Sequence, residues 1–65
     1  MSYSYYRLLD SEYNGLIVRA NEKVQQYYDA QSKKWINTGI MLFYFSDESD
    51  TYGMYEEISE NEINI

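Results

Sequence analysis

Asn14-Gly15 constrains this chain more than any other pair of residues in it. Between two strands, this dipeptide favours a type I′ turn, because both central residues tolerate positive φ and the turn matches the strand twist. Tyr5-Tyr6-Arg7-Leu8-Leu9 precedes it and Leu16-Ile17-Val18-Arg19 follows. Both runs are rich in the aromatic and β-branched residues that suit a pleated surface. A hairpin is expected, with Asp10-Ser11-Glu12 lengthening its connection.

A second hairpin follows the turn Ala20-Asn21-Glu22-Lys23. In Val24-Gln25-Gln26-Tyr27-Tyr28, alternate side chains point to opposite faces, so Val24, Gln26 and Tyr28 share one face and Gln25 and Tyr27 the other. Asp29-Ala30-Gln31-Ser32-Lys33 is a polar turn opened by an Asp that can accept from backbone amides two residues on. Lys34-Trp35-Ile36 then returns as a short strand, giving a four-strand meander over residues 3 to 36.

Ile40-Met41-Leu42-Phe43-Tyr44-Phe45 is apolar throughout, so periodicity does not separate a buried strand from a short helix. Its aromatic content favours a strand. Thr38 as an N-cap, and the cover that the apolar face of a sheet needs, favour a helix. We take the helix and keep the strand as its alternative. Met54-Tyr55-Glu56-Glu57-Ile58 reads as a last strand. Ser59-Glu60-Asn61-Glu62 spells a capping box, and only Ile63-Asn64-Ile65 follow to continue that turn. The expected fold is α+β, one domain over 1–65: a small antiparallel meander of four to five strands, one short helix over one face, and a one-turn C-terminal cap.

These features resemble small uncharacterised proteins of low-GC Gram-positive bacteria and their phages. The residues carrying the resemblance are Tyr5-Tyr6-Arg7-Leu8, Asp29 through Trp35, and Tyr55-Glu56-Glu57-Ile58-Ser59-Glu60-Asn61-Glu62. It implies a Tyr-rich hairpin fold of bacterial or phage origin. Such proteins carry a longer final helix, and they bring no activity with them.

Composition enters through what it removes. A chain of 65 residues buries only about 60% of its unfolded surface, so its core is thin. Cys is absent, which excludes disulfides and fits a reducing compartment. With His absent as well, a metal site would have only oxygen ligands, and the usual general base near neutral pH is missing. No enzyme, cofactor or metal is expected. Asp47-Glu48-Ser49-Asp50-Thr51-Tyr52-Gly53 has a calcium-loop look. Counted from Asp47, however, the sixth position is Tyr52 instead of Gly, and the twelfth is Ile58 instead of Glu. The start, Met1-Ser2-Tyr3-Ser4-Tyr5-Tyr6, lacks a basic segment followed by an apolar one, and the longest apolar run is far below the ~20 residues of a spanning helix. A soluble cytoplasmic protein without a membrane partner is expected.

Charge divides the chain. Residues 1–36 hold Arg7, Arg19, Lys23, Lys33 and Lys34 against Asp10, Glu12, Glu22 and Asp29, for +1. Residues 37–65 hold only acids (Asp47, Glu48, Asp50, Glu56, Glu57, Glu60 and Glu62), for −7. Phosphate neutralisation needs clustered Lys and Arg, so direct nucleic-acid binding is not expected. The acidic half is either a solvated surface or a face for a basic protein partner; a mimic of nucleic acid that inhibits a DNA-binding protein is the sharper form of the second. The chain also holds nine Tyr. Tyr5, Tyr27, Tyr28, Tyr44 and Tyr55 are expected to wall the core, with Trp35 as its anchor on the fourth strand. In each adjacent pair, Tyr5-Tyr6 and Tyr27-Tyr28, one ring must leave the core face. Tyr6, Tyr27, Tyr52, Glu56, Glu57, Glu60 and Glu62 are the expected protein-contact surface, serving a partner or a homodimer.

Overall fold

The computed structural model describes residues 3–63; Met1, Ser2, Asn64 and Ile65 lie outside it, and with them the end of the turn expected to continue past Ile63. Five strands form one antiparallel sheet: β1 (Ser4–Leu8), β2 (Ile17–Ala20), β3 (Gln25–Asp29), β4 (Lys34–Asn37) and β5 (Tyr55–Ile58). Their spatial order is β4-β3-β2-β1-β5. The first four are the expected meander. The chain then crosses from one sheet edge to the other through a single helix, α1 (Met41–Phe45), and β5 completes the sheet beside β1. A 3-10 turn, η1 (Glu60–Glu62), closes the described chain. Leu9, Leu16, Val24 and Met54, expected inside strands, each lie one residue outside.

Each hairpin is fixed by a carboxylate or amide that caps its own turn. Asn21 Oδ1 accepts from the Lys23 and Val24 amides at 2.8 and 3.0 Å. Asp29 Oδ1 accepts from the Gln31 amide at 3.2 Å, and its Oδ2 from the Ser32 hydroxyl at 2.9 Å. The first hairpin departs from expectation. A type I′ turn needs positive φ at both central residues. Gly15 has it (φ 89), but Asn14 does not; Lys33 (φ 59) is the one non-glycine with positive φ among the described residues. Asp10 has already folded the preceding segment into a turn by accepting from the Glu12 and Tyr13 amides, both at 3.3 Å. Gly15 N–H donates to the Leu8 carbonyl at 2.8 Å, while Leu8 N–H donates to the Leu16 carbonyl at 3.0 Å. Gly15 and Leu16 therefore oppose one residue, a β-bulge with glycine at its left-handed position.

Register assigns the faces. Tyr6 pairs with Val18, which pairs with Tyr27, and this row lies under α1. Leu8, Val18, Met41 and Tyr44 form the buried core, with Tyr6, Leu16, Tyr27, Ile40 and Tyr55 packed around it. The opposite row runs Tyr5, Arg19, Gln26, Asn37. Tyr5 and Tyr28 thus leave the core face, and Trp35, paired with Tyr28, leaves it with them. Trp35 is not the core anchor. The fourth strand is an edge, where a ring gains more cover on the second face, between Tyr5 (centroids 6.4 Å) and Tyr28 (5.3 Å). Tyr44, from the helix, takes the anchor position at 1% exposure.

Candidate functional site

Five residues are too few for a helix to stand alone, so α1 exists because the sheet holds it. Its start is tied by two side chains. Thr38 Oγ1 accepts from the Ile40 amide at 3.1 Å, and Gln25 Oε1, reaching from β3, accepts from the Met41 amide at 3.1 Å. Thr38 caps the entering turn, but Ile40 is the N-cap residue; Gln25 supplies the second bond, which local sequence could not show. The far end is tied by the loop that follows. Thr51 Oγ1 donates to the Phe43 carbonyl at 2.8 Å, and the Gly53 amide donates to the Tyr44 carbonyl at 3.0 Å. Together these satisfy carbonyls that a helix end leaves without intrahelical partners.

Helical spacing then decides which of the apolar residues are covered. Met41 and Tyr44, three apart, point at the sheet and are buried. Leu42 and Phe43 point away, 65% and 62% exposed, and Phe45 is 44% exposed. Phe45 is held sideways by edge-on contacts with Tyr6 (centroids 5.8 Å) and Tyr55 (5.3 Å). Leu42 and Phe43 are the larger exposure, and two clefts flank them. One, of about 520 Å³, lies against the acidic loop and is lined by Leu42, Phe43, Ser46, Glu48 and Ser49. The other, of about 260 Å³, runs from Phe43 and Ile40 to Tyr13 and Glu12.

The loop returning along α1 carries Asp47, Glu48 and Asp50, all exposed, and Glu48 lines the cleft against Leu42 and Phe43. On its other side the Glu12 carboxylate pushes the Tyr13 phenol pKa up, a local sign of negative potential. Beneath the second cleft, the Tyr44 hydroxyl donates to Asp10 Oδ1 at 2.5 Å. That bond, helped by the Glu12 and Tyr13 amides, holds the Asp10 carboxyl below its ordinary value despite burial. Burial first, and then Asp10, push the Tyr44 phenol pKa well up. The pair stitches the β1–β2 connection to the helix.

The expected contact residues are spread over several surfaces. Tyr6 and Tyr27 are half-buried under α1; Tyr5 and Tyr28 are the members of each pair on the open face. Tyr52 is 56% exposed in the acidic loop. Glu56 and Glu57 alternate on the edge strand β5, and Glu56 accepts an ion-pair bond from Arg7 at 2.8 Å. Glu60 and Glu62 lie on η1, where the Glu62 carboxylate accepts from the Ser59 amide at 2.8 Å, forming the expected capping box. Two of these four carboxylates are therefore engaged inside the molecule.

Leu42 and Phe43 were not among the expected residues. The signal for them lay in the sequence: six successive apolar residues, once helical, must turn some of their number outward. On the open face, Arg19 stacks over Tyr3 (4.4 Å) and Trp35 (4.3 Å) and donates to Gln26 Oε1 at 2.8 Å, which gives the ring platform an internal cation. Among the described residues no group of three acidic side chains converges as a metal site would need, and no helix is long and apolar enough to cross a membrane. No protein-family model, curated protein or solved structure matches the chain.

Proposed function

We propose that this chain is a soluble, cytoplasmic protein-interaction or regulatory module of a bacterial or phage genome. It performs no catalysis, and it meets its partner through its acidic C-terminal half. The observation that carries this reading is exposed Leu42 and Phe43 with Glu48 lining their cleft, in a loop that also carries exposed Asp47 and Asp50. Apolar surface at the centre with charge around it is the anatomy of a protein contact. The chemistry of the chain supports the same reading: with neither His nor Cys, it lacks the side chains that most often move protons or attack near neutral pH. Capture from lysate at physiological salt tests it. A partner should be retained by the wild type and lost by the double variant Leu42→Ser/Phe43→Ser; recovery of no partner overturns the reading.

A structural domain that binds its own copies is the second reading. It draws on the open edges of β4 and β5, which present unpaired strand backbone. Sedimentation separates the two, because a dimer stable at all salt concentrations favours self-association. An acidic mimic of nucleic acid would instead show salt-sensitive capture of basic proteins. That capture would be abolished by neutralising Glu56, Glu57, Glu60 and Glu62 together.

A further inference from the structure

We propose that the Leu42–Phe43 face receives a basic amphipathic helix of a partner protein. Its apolar side would lie on Leu42 and Phe43, and its Lys or Arg rim against Asp47, Glu48 and Asp50. This deepens the interaction-module reading and rests on it.

Three observations select that occupant. The first is the absence of an edge to extend. Backbone groups at this face are already bonded, the Phe43 carbonyl by Thr51 and the Tyr44 carbonyl by Gly53, so an added strand finds no ladder here. What remains are side-chain clefts on either side of Phe43, which suit the i, i+3, i+4 anchors of a helix laid in a groove.

The second is the sign of the rim. Glu12 borders one cleft and Glu48 the other, and neither is lined by Lys or Arg. The five cations line neither cleft, although Lys33 shares an adjoining cavity with Glu12 and Tyr13. Arg7 and Arg19 are on the opposite sheet face, where they pair with Glu56 and Gln26, while Lys23, Lys33 and Lys34 sit at or beside the β2–β3 and β3–β4 turns. A basic partner therefore finds Glu48 on one side of Phe43, where no cation lines the cleft, and Glu12 on the other, where Lys33 lines only the adjoining cavity.

The third is what the same charge rejects. A second copy docked about a two-fold axis would bring two acidic loops, and no cation from either cleft, into one interface, and like charges brought together there are unfavourable. An anionic membrane surface or a nucleic acid would meet the same repulsion.

The test uses a fluorescently labelled peptide of about 18 residues, Leu and Lys only, patterned as an amphipathic helix. Binding is read by anisotropy at physiological salt. The controls are a scrambled peptide of the same composition and a Leu–Glu peptide of the same pattern. We expect the patterned Leu–Lys peptide to bind with a Kd on the order of micromolar, and both controls about tenfold or more weaker. Leu42→Ser/Phe43→Ser should weaken binding about tenfold or more; both residues are mostly exposed, so the fold has little to lose. Asp47→Asn/Glu48→Gln/Asp50→Asn should weaken it roughly fivefold and flatten its salt dependence, while Glu56→Gln/Glu57→Gln stays within about twofold.

Equal binding of the scrambled peptide, or equal losses from the two charge variants, would reduce the effect to non-specific attraction and overturn the proposal. So would a wild-type dimer that Leu42→Ser/Phe43→Ser converts to monomer, since a second copy would then own the face. If lysate capture depends on Leu42 and Phe43 but the patterned peptide does not bind, the helix proposal falls and the module reading stands. If neither binds, both fall.

Discussion

Replacing Tyr44 with Phe deletes one oxygen from the largest fully buried side chain among the described residues and leaves its ring in place. The hydroxyl donates to the Asp10 carboxylate at 2.5 Å, and both residues are buried, at 1% and 6% exposure. A hydrogen bond to a charged group contributes about 1.5–3 kcal/mol. Asp10 would keep only the Glu12 and Tyr13 amides, each at a long 3.3 Å, so its carboxylate would stay buried and under-satisfied. We expect a loss of about 2–3 kcal/mol from a domain whose whole stability, at this length, is roughly 3–10 kcal/mol. In thermal unfolding followed by circular dichroism at pH 7, that is a drop in Tm of roughly 10–20 °C.

The loss should depend on pH. The carboxyl of Asp10 titrates below its ordinary value of 3.8 in the folded protein. Its contribution is therefore complete above the unfolded-state value and fades as pH falls below that value towards the folded one. The gap between wild type and Tyr44→Phe should narrow below about pH 4, and Asp10→Asn should flatten this part of the wild-type acid dependence. A Tyr44→Phe loss under about 0.5 kcal/mol, or a gap unchanged between pH 7 and pH 3, would refute the argument that this bond holds a charge.

Lys33 carries positive φ without the freedom of glycine, so Lys33→Gly should stabilise the fold by about 0.5–1 kcal/mol, measured by urea unfolding. Gly15→Ala should do the reverse by about 1–2 kcal/mol; nothing lies within 4 Å of an added Cβ, so the cost is purely conformational, and Gly15→Asn should recover part of it. Arg19→Met should remove the cation between Tyr3 and Trp35, costing about 1 kcal/mol and shifting the emission of the single Trp; unchanged fluorescence would show that the stacked arrangement is not populated in solution.

The apolar run of α1 reads almost equally as strand or helix, whereas the strands, their order through β4 and the closing turn were legible because each rests on a local signal. Examples are Asn-Gly and Asp at turns, alternation in Tyr27-Tyr28, and Ser-x-x-Glu at the end. Face assignment was not legible, since alternation separates Tyr5 from Tyr6 but does not say which one meets the core. That choice depends on where α1 crosses, and α1 is held by long-range contacts such as the Gln25 bond to the Met41 amide, sixteen residues away in sequence. The same missing information placed Trp35 in the core and left Leu42 and Phe43 out of the contact surface. The type I′ expectation failed for a different reason. Asp10, five residues before Gly15, bonds forward to Glu12 and Tyr13 and changes the loop that Asn14-Gly15 closes.

The pairing of β1 with β5 joins strands from opposite ends of the chain, Tyr5 facing Ile58, whereas every other strand pair is a hairpin. Local pairs close early and distant ones wait, because the entropy of a long loop must be overcome before its contacts form. On the ribosome, β1 is made first and its outer edge stays bare until the last strand has emerged. Nascent chains of this protein are thus exposed to unwanted strand pairing along the outer edge of β1 until β5 has been made.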